Sequence, residues 1–188
     1  MSLTALDPKT ALVVIDLQQG FAGLPMIHPF DTVVANAAAL CRVFRQSGLP
    51  VVLVNVAGAP QVRTERPRRA PVLDGDAIAF IPELNRQAQD HVVTKHTSGA
   101  FTGTGLETHL RALGVTQIVL TGVSTSNGVE VTARQAYELG FNTAFAIDAM
   151  TDGDAMAHDY SVTRIFPRIG ETGTTADILA LLPESPRS

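Results

Sequence analysis

Five short runs, "ALVVID", "VVLVNV", "HVVTK", "QIVLTG" and "TAFAID", are almost continuously apolar and β-branched, and each is separated from the next by a segment long enough for a helix. That pattern constrains the fold more than any other feature of the chain. A strand with one face in water alternates apolar and polar residues, whereas a parallel strand covered on both faces does not. Parallel neighbours also need a crossover connection, usually a helix. The runs therefore predict an α/β fold, three-layer αβα and Rossmann-like. Its parallel six-stranded sheet is expected in the doubly wound order 3-2-1-4-5-6, because crossovers are right-handed. With 188 residues, 45% of them hydrophobic, the chain can bury one core, and a single domain over 1–188 is expected.

Several function classes are excluded by what the chain lacks. A formal charge of -4 argues against nucleic acid or an anionic membrane as the partner. The opening "MSLTALDPKT" has no basic stretch followed by an apolar one, and no run approaches the roughly 18 apolar residues of a membrane span, so a cytoplasmic protein is expected. Cys41, the one cysteine, sits at helical spacing in "VVANAAALCRVFRQSG", where a thiol packs as a small hydrophobe. His28, His91, His96, His109 and His158 show no zinc spacing, so neither a metal nor another cofactor is expected. A dinucleotide-dependent oxidoreductase fits poorly. The turn after the first strand reads "DLQQGFAG", and "SGAFTGTGLE" places its glycines in the wrong pattern for G-x-G-x-x-G.

Helix boundaries are legible in "TGLE" (Thr104–Glu107) and "TTAD" (Thr174–Asp177), both capping-box patterns, and in Gly140, which can end a helix that begins near Gly128. The connection from Ala57 to Pro82 is long and rich in Pro, Gly and Arg, as lids and binding loops are. In an open parallel sheet ligands gather at the carboxyl ends of the strands, where the order reverses. Strand one ends in Asp16, strand three in Lys95, and strand four runs into the turn that holds Gly128. An aspartate and a lysine on one rim make a candidate site.

The strings "ALVVIDLQQGF", "TKHTSGAF" and "LTGVSTSNGVEVTARQAYELGF" resemble, in order and spacing, the signature blocks of the isochorismatase-like (cysteine hydrolase) superfamily. "AIDAMTD" followed by "IGETGTTADIL" is similar to that family's last strand and terminal helix. The resemblance implies a Rossmann-like fold, a homodimer or homotetramer, and a site of aspartate, lysine and nucleophilic cysteine. It also implies a non-proline cis peptide after strand four, near Val123 and Ser124. Asp16 and Lys95 match the first two site positions, but where amide-cleaving members read G-V-x-T-x-x-C-V this chain reads "GVSTSNGV", placing Gly128 at the cysteine. Glycine has no group to attack a carbonyl, so amidase activity is not expected.

True isochorismatases resemble this chain in having glycine there beside the aspartate and lysine. They cleave an enolpyruvyl (vinyl) ether by acid catalysis. On this resemblance Asp16 is the general acid, Lys95 its neighbour, and Gly128 leaves room for a small anionic substrate. Lys95 alone would hold Asp16 ionised, so either burial opposes the lysine or substrate carboxylates engage it. Arg63, Arg66, Arg68 and Arg69, with Gln61, could clamp a carboxylate; Phe21 and Phe101 could wall the site, with Ser124 beside them. Ser124, Thr125 and Ser126 are read as hydroxyls that make capping and turn hydrogen bonds, in preference to a serine standing in as nucleophile. The competing expectation is a catalytically silent member that binds a ligand or partner through the same pocket.

Overall fold

The structure, a computed structural model, describes residues 3–65 and 74–182. Strands β1 (Thr10–Ile15), β2 (Val51–Val56), β3 (His91–Lys95), β4 (Gln117–Val123), β5 (Asn142–Thr151) and β6 (Glu171–Gly173) pair in parallel. Their order in the sheet is β3-β2-β1-β4-β5-β6, the expected doubly wound arrangement. Helices α1 (Phe30–Gln46), α2 (Leu106–Ala112), α3 (Glu130–Glu138), α4 (Ala155–Tyr160), α5 (Phe166–Ile169) and α6 (Thr175–Leu181) join the strands or follow them, except between β2 and β3, where the described residues form only 3-10 turns.

Successive residues of a strand point to opposite faces, so a strand buried on both sides is apolar throughout. In β1, Leu12 and Val14 join a core with Ala37 and Leu40 of α1 and Ile178 of α6. Val13 and Ile15 join a second core with Leu106 of α2, Ala133 of α3 and Phe166 of α5. Every residue of β1 and of β4 is buried.

Local chemistry sets the ends of the helices. After α3, Gly140 N–H donates to Tyr137 O (3.0 Å) and Phe141 N–H to Ala136 O (2.9 Å), closing the last turn with Gly140 left-handed, at φ +77°. α6 opens with the expected capping box between Thr174 and Asp177. The "TGLE" expectation is corrected: the N-cap of α2 is Gly105 and no capping box forms. Thr104 Oγ1 accepts from Leu106 N–H (3.3 Å) and donates to Ala100 O (2.5 Å), and Glu107 pairs with Arg111 one turn on (3.7 Å). "AIDAMT" lies wholly within β5, whose pairing with β4 shifts register between Leu120 and Gly122, and the last strand is the short "ETG".

The first part of the long connection has no regular secondary structure and is exposed from Pro60 to Glu65, and the last part forms 3-10 turns at Gly75–Ile78 and Pro82–Leu84. Arg66, Arg68 and Arg69 lie outside the described residues. No described helix is long and apolar enough to cross a membrane.

Cys41 is fully buried in the α1 core, and burial pushes its thiol up to about 12. Thiolate is the reactive form, so the folded chain should show about zero reactive thiols to Ellman's reagent at pH 8 and one after denaturation. A rapidly titrating native thiol would contradict this packing.

Candidate active site

The strand order reverses between β1 and β4, and at that point Gly122 of β4 pairs with Ile15 of β1. A Cβ on Gly122 would lie 1.9 Å from Ile15 O, and the residue has φ +115°, so only glycine permits this contact. β4 then passes through a cis Val123–Ser124 peptide, as expected, into a π-helical turn, Thr125–Val129, that carries Gly128 toward the end of β1.

Asp16 leaves β1 in the left-handed region at φ 52°, a conformation that Asp tolerates better than most residues but that still costs about 1 kcal/mol or more. Its N–H stays in the sheet, donating to Val54 O (2.8 Å), while its carboxylate meets the ammonium of Lys95 from the end of β3. Lys95 Nζ donates to Asp16 Oδ2 (2.8 Å) and to Thr97 O (3.2 Å). Asp16 is 4% exposed and Lys95 2%. Asp16 Oδ1 is buried with no hydrogen-bond partner in the structure.

Burial raises the Asp16 carboxyl, Lys95 lowers it, and burial prevails: the pKa stands at about 6 against an ordinary 3.8. Of the two ways to reconcile an acid with a neighbouring lysine, burial is the one at work in the free protein. The site thus holds a carboxyl partly protonated near neutrality, one oxygen fixed and the other unspent. An unsatisfied buried acceptor costs roughly 1–3 kcal/mol, a price that a proton on Oδ1 or a substrate contact can offset.

Gly128 faces this carboxylate. A Cβ there would lie 3.0 Å from Ile15 Cγ2, 3.1 Å from Val123 O and 3.3 Å from Asp16 Oδ2, so any side chain would have to displace a neighbour by a few tenths of an ångström. The turn is also tied to the segment after β3: Ala100 N–H donates to Thr132 Oγ1 (3.1 Å), which donates to Gly128 O (2.6 Å). Thr125 Oγ1 donates to Thr151 O (3.1 Å) and Ser126 Oγ to Asp152 Oδ2 (2.7 Å), so these hydroxyls tie the turn to the end of β5, 26 residues on, instead of making the local turn bonds expected of them. Ser124, half-buried, starts the turn, and its carbonyl accepts from Asn127 and Val129.

The other expected site residues lie further out. Phe21 ends a 3-10 turn and packs, half-buried, on the α1-side core. Phe101 stacks on Phe141 with ring centroids 5.9 Å apart, on the opposite face of the sheet. Gln61 and Arg63 are exposed on the long connection, and Gln61 Nε2 donates to Ala59 O (3.3 Å). Sequence reasoning missed Gln18, which is fully buried. Its Nε2 donates to Val56 O (3.1 Å) and Ala77 O (3.0 Å), and its Oε1 accepts from Val56 N–H (2.7 Å), pinning the returning end of the connection to β2. One buried amide thereby joins three segments of the rim. Among the described residues no group of three or more His, Cys, Asp or Glu side chains is arranged to hold a metal ion.

Comparisons with known proteins follow the same outline. Residues 10–177 match the family described as "Isochorismatase domain". The chain is 43% identical over 182 residues to the "Uncharacterized isochorismatase family protein YecD" of Escherichia coli O157:H7, covering 92% of this chain and 96% of that one. It is 31% identical over 185 residues to the maleamate amidohydrolase of Pseudomonas putida, covering 93% and 87%. A solved isochorismatase family protein from Burkholderia thailandensis superposes with a TM-score of 0.92 at 45% identity, covering 96% of this chain and 99% of that one.

The raised carboxyl carries a signed consequence. Between about 3.8 and 6 the folded chain keeps a proton on Asp16 that the unfolded chain has released, so this group's contribution to stability falls as pH rises through that window. Lys95→Met removes the influence that lowers the value, so carbon-13 NMR should show Asp16 titrating above its wild-type value. Titration at or below the wild-type value would contradict the balance described.

Proposed function

The chain belongs to the isochorismatase family, and from that premise we propose that it is a hydrolase that works by acid catalysis, without a covalent intermediate, on a small acidic substrate of the enolpyruvyl ether type. The observation that carries the reading is the Asp16 carboxyl: buried, poised at about 6, with Oδ1 unpaired and a glycine in front of it. A vinyl ether needs one proton on its terminal carbon. Asp16 supplies it from Oδ1, the resulting oxocarbenium ion takes up water, and the hemiketal collapses to pyruvate and an alcohol, with the proton that water releases restoring the acid.

Lys95 has three N–H donors, two of which are engaged with Asp16 and Thr97. The third is assigned to a substrate carboxylate. Exposed Gln61 and Arg63 are assigned to the substrate's outer acidic group. On this reading Gly128 stands where amide-cleaving relatives carry their thiolate, and the tight contacts of its absent side chain support a site built without one. The Thr125 and Ser126 hydroxyls hold the turn to Thr151 and Asp152 at the end of β5, and neither is assigned a nucleophilic role. Loss of the nucleophile from a covalent mechanism can cost on the order of 10⁶ in rate.

A second reading, a silent member that binds a ligand or partner, is favoured by one observation: Asp16 and Lys95 are almost wholly enclosed. A panel of acidic enol ethers, isochorismate first, scored for pyruvate release, separates the two. The hydrolase reading expects turnover that falls as pH rises past about 6, as the acid ionises. Asp16→Asn keeps the size of the group but cannot deliver its proton, so kcat should drop by about 10² or more with little change in KM. Full turnover by that variant would sink the acid assignment, and no turnover across the panel would leave the silent binder.

A further inference from the structure

The turn that carries Gly128 is held from behind by one short stretch of chain. Asp152, at the end of β5, accepts from both Ser126 N–H (2.8 Å) and Ser126 Oγ (2.7 Å). Ser161, at the end of α4, donates to Glu130 Oε2 (2.6 Å) where the turn becomes α3. Between these, His158 of α4 places Nδ1 2.9 Å from Thr125 Oγ1. His158 is 6% exposed and Thr125 fully buried. The α4 helix is fixed by Asp154, whose carboxylate accepts from Met156 and Ala157 N–H.

The hydrogen-bond inventory around Thr125 bears on how His158 is protonated. Thr125 has one hydroxyl proton, and the Thr151 carbonyl 3.1 Å away can only accept it. For the 2.9 Å contact also to be a hydrogen bond, His158 must be the donor, through Nδ1–H. Free imidazole favours the other tautomer, so this environment selects an uncommon form. Burial and then His28, edge-on at 4.9 Å, lower the His158 pKa against the opposing pull of Asp159 and Asp152, which favours the neutral ring.

We infer that His158, as the Nδ1–H tautomer, is a positioning residue for the active site: its bond to Thr125 sets where the Thr125–Val129 turn holds Gly128 against Asp16. It touches no reacting atom. The bond lies three residues before Gly128, and the carbonyl of Gly128 is bound on the other side by Thr132, so the turn is gripped from both flanks. A displacement of about 1 Å at a site can cost on the order of 10² in rate.

The activity part of the test rests on the proposed hydrolysis, so two NMR measurements without substrate accompany it. Nitrogen-15 spectra of the wild-type protein should show His158 neutral and protonated at Nδ1; an Nε2-protonated ring would overturn the inference. Asn places an amide N–H where Nδ1–H stands, whereas Leu fills the space with no donor. His158→Leu should therefore shift the Gly128 amide resonance and the Asp16 titration, and His158→Asn should restore both. With isochorismate, Leu should lower kcat about tenfold with KM within about twofold, and Asn should recover most of it. Equal behaviour of the Asn and Leu variants, or a Leu variant unchanged in every readout, overturns the inference. If Leu does not fold, the wild-type tautomer and the comparison of Asn with Gln, whose amide reaches the Nε2 position instead, decide it. If the NMR results hold and no pyruvate is released, the proposed hydrolysis fails while the positioning role stands.

Discussion

The contact between Asp16 and Lys95 is what the rest of the rim is arranged around. Burying two charges costs several kcal/mol for each, and the attraction between them repays that only when the remaining donors and acceptors are satisfied. Here they are not: one carboxylate oxygen has no partner, and the carboxyl is pushed up to about 6 despite a lysine 2.8 Å away. The neighbouring features, a left-handed Asp16, a glycine pressed on the end of β1 and a π-helical turn, each carry a local cost or constraint that the fold has to sustain.

How much of this was legible in the chain follows from the range of each interaction. The strands were visible because burial on both faces makes "ALVVID" and "QIVLTG" apolar throughout, and Asp16 and Lys95 stand out as charges at the ends of such runs. The capping box at Thr174 lies within four residues and was legible for the same reason. "TGLE" misled because the chain turns left-handed at Gly105, which takes the N-cap position and puts Thr104 one residue too early to close a box with Glu107. Gln18 and His158 could not be found locally. Their partners lie 38 and 33 residues away, and no spacing in one sequence records such contacts. Phe21 and Phe101 carry the same ambiguity, because an aromatic near a motif reads alike whether it lines a pocket or fills the core, and here both pack against core residues.

Family membership fixes the scaffold and leaves the chemistry to the site. A relative such as maleamate amidohydrolase is named for amide cleavage, which asks for a nucleophile; a vinyl ether asks for a proton and water. A Cβ on Gly128 would press on Ile15 Cγ2 and Val123 O, so the glycine lets the turn close on the end of β1 and does not open the space for substrate expected from the sequence. Gln18 and the Thr132 bridge show how such a site is kept in place: buried polar groups fasten the loop and the turn to strands that cannot move without disturbing the core.

The account's central claim is that water, activated by no enzyme nucleophile, adds to the carbon that Asp16 has made cationic by protonating its neighbour. Single-turnover hydrolysis of isochorismate in oxygen-18 water, with immediate borohydride reduction of the keto acid, tests this directly. The account predicts the label in the new hydroxyl of the reduced three-carbon acid, none in the released ring alcohol and no adduct on the protein at any time point. Label in the ring alcohol, or a transient covalent adduct on the chain, would contradict it.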